Sequence, residues 1–225
     1  MSKVEQALQV LAPNFRRLTL TIIGTPPGIV THRFSEKAKK QMLEKQMATS
    51  RVKKKREPKD PQADFIASLY LLDKSGKRYD TTTLPKKLTA DMRYGFPANG
   101  FKKSMVSACR VTEGLSMAEA KQLFFVVGDV GDLIEIKSPN PPEMHEDVVR
   151  ISMGTSDLRY RGYFPEWTST LRVEYDADRI TTEDIVNLLR KAGMQVGVGE
   201  RRPEKEGNTY GRWTVSDKGI KDEVI

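Results

Sequence analysis

Cysteine is almost absent: Cys109 is the only one in 225 residues. That excludes an internal disulfide and a cysteine-rich zinc site, and a reducing compartment suits the lone thiol. Histidine is nearly as scarce, leaving His32 and His145 as the only side chains whose ordinary titration falls near neutrality. Nothing in sequence pairs either of them with Cys109 or a marked serine, so nucleophilic catalysis has no evident nucleophile and base. Long apolar runs are missing as well; the chain is 38% hydrophobic and 30% charged, and no stretch approaches a membrane span. The opening MSKVEQALQV lacks the apolar stretch of a signal peptide, so cytoplasm is the expected compartment. Neither a Gly-Lys-Ser/Thr phosphate cradle nor a GxGxxG fingerprint occurs. Helix-turn-helix, zinc-finger and RNP-type patterns are absent too, and direct readout of duplex sequence is not expected. The residues call for no cofactor and no metal.

What is present is positive charge, unevenly spread. The formal net charge is +8, and between Arg33 and Asp60 eleven Lys or Arg stand against four Asp or Glu. Nearly the whole excess therefore lies in one arm, residues 35–63, where Lys53, Lys54, Lys55 and Arg56 are consecutive. Such a block draws polyanions, with a salt-dependent pull, or else it is a solvated disordered loop. Ser35 is placed to cap a helix from Glu36 to about Met47, with Ala38, Met42 and Met47 as a narrow apolar stripe and lysines elsewhere. Pro58 and Pro61 then stop regular structure.

The remaining pattern alternates between strands and helices. Val4, Leu8 and Leu11 suit a short N-terminal helix, and residues 17–24 alternate Leu18, Leu20 and Ile22 with Thr19 and Thr21, the period of a strand. Residues 65–72 read as a second strand and 80–94 as irregular. Residues 98–111 read as a helix burying Phe101, Met105, Ala108 and Cys109. Residues 123–127 and 133–137 suggest a hairpin, and 148–153, 157–163 and 168–175 suggest further strands. Thr181, Thr182 and Glu183 start a helix carrying Ile185, Leu188, Leu189 and Ala192, with Gly193 where it would stop. This order implies a single-domain α+β fold: a ferredoxin-like or RRM-like antiparallel sheet with helices on one face and a long basic insertion. The core would be residues 17–34 and 64–215, and residues 216–225 a charged tail.

After the last helix, Gly197, Gly199, Gly207 and Gly211 are interleaved with Arg201, Arg202, Lys205 and Arg212. Glycines let a partner approach and arginine forks suit phosphates, although a mobile hairpin with solvated charges has the same composition. Arg150, Arg159, Tyr160, Arg161, Tyr163 and Trp167 add cations beside rings, a combination that holds single strands by stacking and charge. Each ring taken alone also suits a core. His32 and Arg33 border the arm, and Lys102, Lys103 and Arg110 project from the first long helix. One alternative is a metal-dependent nuclease at Asp132, Glu135 and Lys137, but on one strand Asp132 and Glu135 would point to opposite faces.

With the helix, the stretch AGMQVGVGERRPEKEGNTYGRW and the inserted basic arm in view, the chain resembles the RAMP superfamily. The likeness is to the backbone subunits that line CRISPR guide RNA; segments such as TIIGTPP and FKKSMVSACR also look like phage-borne proteins. It extends from Arg17 to Val215. The resemblance implies an RRM-like core whose copies stack along a single strand, with the arm reaching a neighbouring site. It implies backbone contacts from Lys102, Lys103 and Arg110, and from Arg201, Arg202 and Lys205. The catalytic aspartate of target-cleaving backbone subunits has no counterpart in this sequence. The expectation is thus a non-enzymatic protein that binds single-stranded RNA or DNA and self-associates into an oligomer or filament, without a membrane partner. Its contacts would be His32, Arg33, Lys53, Lys54, Lys55, Arg56, Lys102, Lys103, Arg110, Arg159, Arg161, Arg201, Arg202, Lys205 and Arg212. The alternative from another class is a phage structural or assembly protein.

Overall fold

The computed structural model describes residues 12–47, 58–152 and 154–225. Lys53, Lys54, Lys55 and Arg56 lie outside these residues, as do Val4, Leu8 and Leu11. Strand β1 (Phe15–Gly24) buries Leu18, Leu20 and Ile22 on one face, as its alternation requires. A two-residue strand, β2 (Ile29–Val30), precedes helix α1 (Glu36–Met47), which buries none of its residues. Helix α2 (Pro61–Ala67) and strands β3 (Tyr70–Leu72) and β4 (Arg93–Pro97) lead to α3 (Ala98–Ala108), extended by a 3-10 turn at Cys109–Val111. Then come α4 (Met117–Leu123), β5 (Phe124–Val127), β6 (Leu133–Ile136), β7 (Glu143–Ser152), β8 (Thr155–Phe164) and β9 (Thr168–Asp176). Helix α5 (Thr182–Lys191), α6 (Pro203–Glu206), β10 (Trp213–Val215) and β11 (Lys221–Val224) complete the chain. Among the described residues no helix is long and apolar enough to cross a membrane.

The fold is α+β, and its central sheet has the order β10-β1-β9-β5 with every neighbouring pair antiparallel. The crossover from β1 through α3 to β5 spans β9, and the crossover from β9 through α5 to β10 spans β1. These are the two interlocked units of a split βαβ, ferredoxin-like arrangement. Phe101 and Met105 of α3 and Ile185, Leu188 and Leu189 of α5 join Leu171, Val173 and Trp213 in one core. Fully burying each such side chain contributes about 1.5–3 kcal/mol, which is why the apolar stripes of α3 and α5 dictate their placement. Two small sheets, β2-β8-β7 and β3-β4-β6, are built from the insertions.

Four expectations change. Residues 65–67 belong to α2, because Asp60 accepts from the backbone N–H groups of Gln62 and Ala63 at 3.1 Å and Pro61 opens the helix. Strands β5 and β6 form no hairpin; β5 pairs with β9 and β6 with β4. The turn between them requires glycine at its first position, since a Cβ on Gly128 would lie 2.3 Å from the Gly131 carbonyl oxygen. The supposed tail contributes β11, which pairs with β1 from Arg16 to Thr19. Asp222 in β11 accepts from Arg16 at 2.9 Å and from the Thr182 hydroxyl at 2.8 Å, so its charges make defined contacts. Finally, the helix after β9 does not stop at Gly193: it widens into a π-type turn over Ala192–Val196 and ends at Gly197 with φ 71°. Gly193 serves close packing instead, because a Cβ there would lie 2.3 Å from the Trp213 carbonyl oxygen.

Candidate nucleic-acid interface

Strand β2 covers β8 only at Phe164 and Tyr163, and Thr31 adds one backbone bond to Gly162 at 2.8 Å. The chain then leaves for α1. A groove of about 660 Å³ opens between α1, α2 and the stretch of β8 from Ser156 to Arg161. Arg33, Lys37, Lys45, Lys59, Arg159 and Arg161 line it against two carboxylates, Asp64 and Asp157. Phe34, half exposed, and Tyr160 also face it. Lys59 donates to Asp157 and to the Leu158 carbonyl, and Arg159 lies 3.6 Å from Asp157, so one carboxylate is shared by two cations.

His32 belongs both to this groove and to a smaller cleft of about 270 Å³, formed with Tyr70, Phe96, Lys103, Arg202 and the turn at Gly197 and Gly199. Arg33 and Arg78 both stand over the Tyr70 ring, 5.6 and 5.9 Å from its centroid. Arg78 is neutralised by Asp132 at 2.5 Å, whereas Arg33 donates to the Tyr79 carbonyl at 3.1 Å. Burial, followed by the charge of Arg78, holds the Arg33 pKa below the ordinary guanidinium value.

The glycine-rich segment is strapped down. Glu200 donates its N–H to the Val30 carbonyl at 2.9 Å and Gly211 to that of Gly28 at 2.7 Å, while Val198 donates to Gly211 at 2.9 Å. Gly211 has φ 70°, and a Cβ there would lie 1.7 Å from the Val198 carbonyl oxygen, so this crossing requires glycine. Arg201 is a non-glycine residue at φ 57°, held over the Tyr210 ring at 5.2 Å and 3.2 Å from Asp147. The mobile-hairpin reading therefore does not hold for this segment.

The segment's cations largely carry their own counterions. Arg202 lies 3.3 Å from Glu204, Lys205 donates to Glu200 at 2.8 Å, and Arg110 of the 3-10 turn lies 3.6 Å from Glu204. Arg161 is 2% exposed and pairs with Asp147 at 2.8 Å, so it joins β8 to β7 more than it offers charge to solvent. The two lysines of α3 part company: Lys103 lines the small cleft, while Lys102 donates to the Lys121 carbonyl at 2.9 Å and lies 3.7 Å from the Phe125 centroid. Arg212 opens into a separate cleft beside Thr25. Asp132 and Glu135 are also taken, by Arg78 and by two nitrogens of Arg93 at 2.7 Å.

Sequence reasoning alone misses Lys37, Lys45, Lys59 and Tyr70. Their signal is partly there, because Lys37, Gln41 and Lys45 recur every four residues, and all three face the groove from one side of α1.

Burial pushes both histidines below their ordinary value of 6.5. At His32 the carboxylate of Glu200 opposes that push while Arg161, Arg159 and Lys205 add to it. Asp147 opposes it at His145, and Arg201 and Arg161 add to it. Because the folded state binds these protons less readily than the unfolded chain, their contribution is complete above about pH 6.5 and is lost progressively as pH falls from there through the lowered folded-state values. Melting curves should show a lower Tm at pH 5.5 than at pH 7.5, with the difference reduced in His32→Gln/His145→Gln; equal Tm values for the parent protein would refute this.

Compared with protein families and with curated proteins, the chain matches none. Among solved structures, it is similar to a chain in the cryo-EM structure of the Type III-B Cmr-beta bound to cognate target RNA. The TM-score is 0.49 at 11% sequence identity. The alignment covers 94% of this chain and 61% of that chain, so this protein spans under two thirds of its neighbour's length.

Proposed function

We propose that this protein binds single-stranded nucleic acid through the groove between α1, α2 and β8, without catalysing a reaction on it. The observation that carries the reading is the groove itself, where five cations besides the Asp147-paired Arg161 face two carboxylates and the rings of Phe34 and Tyr160 lie among them. Cations follow a phosphate backbone while rings stack bases of any identity, so little sequence preference is expected. His32 joins this groove to the cleft at Lys103 and Arg202, which extends the track toward the glycine-rich segment. That arrangement accords with the resemblance to RAMP-type backbone subunits, and with it we propose self-assembly along the strand. Arg33, Lys37, Lys59 and Arg159 contact phosphates, and Arg161 positions β8.

The test is gel filtration with light scattering of the full chain, with the 260/280 nm absorbance ratio read before and after nuclease treatment in high salt. A nucleic-acid-laden assembly that collapses on digestion is the expected result. A fixed oligomer free of nucleic acid, which also fails to bind added single strands at low salt, would overturn the proposal and favour an assembly protein.

A further inference from the structure

Strand β7 is an edge: in the sheet β2-β8-β7 it pairs with β8 alone. An unpaired edge offers a row of backbone N–H and C=O groups to another strand, and proteins guard such edges with lysine, proline, bulges or a covering element. Residues 143–150 contain no lysine or proline, and their register with β8 stays regular up to the irregularity after Arg150. Alternation places Met144, Glu146, Val148 and Arg150 on one face, opposite Gly162, Tyr160, Leu158 and Ser156 of β8. Val148 is 69% exposed and its neighbour Leu158 42%, so no described element covers the centre of this edge. Arg159 and Arg161 take Asp157 and Asp147, which leaves Glu146 and Arg150 without an ion pair among the described residues.

The order acid, apolar, base along that face is self-complementary. When a strand pairs antiparallel with its own copy, side chains directly opposite share a face, so the two-fold sets one residue against itself. Centred on Val148, the pairing sets Glu146 of each copy opposite Arg150 of the other, with Val148 against Val148 between them. Centred on Glu146, Asp147 or Arg150, it sets like charges directly opposite, which is destabilising. Centred on Val149, it leaves Arg150 facing Val148. We propose that β7 pairs with β7 of a second copy of this chain, antiparallel and centred on Val148. The same charges reject strands of other sequence, which is how an edge can be open to one partner. The pairing joins two three-stranded sheets into one, and its two-fold turns both grooves, each walled by Leu158 and Tyr160, to the same side.

The experiment is sedimentation velocity of the nuclease-treated full chain over a concentration series. The parent should form a dimer, and Glu146→Arg or Arg150→Glu should each raise its dissociation constant at least about tenfold, because either sets two pairs of like charges opposite. Mixing the two single variants should restore the dimer, since each then supplies the charge the other lacks, and restoration shows that both fold. A parent that stays monomeric throughout, single variants that dimerise as the parent does, or a mixture no larger than its components would overturn the pairing. The contact needs no nucleic acid, so it fails separately from the groove: a strand-bound assembly should collapse on digestion to the dimer instead of the monomer.

Discussion

Asp147→Ala should cost the fold about 3–5 kcal/mol, because it strands a buried charge. The Arg161 side chain is 3% exposed, and Asp147 holds it at 2.8 Å from the facing strand β7. The other carboxylate within reach is Glu200 at 3.7 Å, which Lys205 already engages at 2.8 Å. The Arg161 Nε is already buried without a partner, so nothing local is free to absorb the loss. Asp147 also lies 3.2 Å from Arg201, and the substitution would loosen the strained backbone there together with the segment's grip on β7. Denaturant unfolding of the parent, the single variant and Asp147→Ala/Arg161→Met would separate the causes. Removing both charges should recover most of the stability, since apolar replacement of a buried pair is often neutral. A single-variant loss below about 1 kcal/mol would mean that Arg161 reaches water by moving, and the account of β8 as a rigid groove wall would fail.

The parts of the fold that were legible in the sequence are those in which one face is buried along the whole element. The alternation in β1 and β9 and the stripes on α3 and α5 each required a single placement, and the central sheet follows from them. Residues 65–67 were not legible as helix, because a continuous apolar run buries equally well as helix or strand, and only its end, Tyr70–Leu72, is the expected strand; the deciding signal was the Asp60-Pro61 start, and Pro61 reads as a breaker when taken alone. The pairing of β5 and β6 depended on distant partners, β9 and β4, which no local spacing reveals. The charged C-terminal strand failed for a related reason: the contacts that fix Asp222 come from Arg16, Tyr175 and Thr182, remote in sequence. At the candidate site, His32, Arg33, Arg159 and Arg161 fall together in the groove, but Arg161 is buried against Asp147, and Arg201, Arg202 and Lys205 fall among carboxylates. A sequence displays cations but not which of them fold against an acid.

That distinction determines where charge reversal should matter most. Arg33→Glu/Lys59→Glu/Arg159→Glu should weaken single-strand binding by about 100-fold at low salt, and should flatten the slope of log K against log salt by about 2, roughly 0.7 for each lost phosphate contact. Arg33 has no ion pair among the described residues, while Lys59 and Arg159 share the single carboxylate of Asp157, so the three keep a net positive charge for a strand. These side chains are partly exposed, and exposed ion pairs contribute only about 0–1 kcal/mol, so the variant should fold with nearly the parent's Tm. The matching control is Lys86→Glu/Lys87→Glu/Arg179→Glu, which changes net charge equally at exposed positions away from the groove. Fluorescence anisotropy with a labelled oligonucleotide across a salt series would measure both. A general attraction to a basic protein would weaken both variants alike, with equal losses of slope. A groove that holds the strand requires the loss to follow Arg33, Lys59 and Arg159, because only contacts that replace condensed counterions alter the salt exponent.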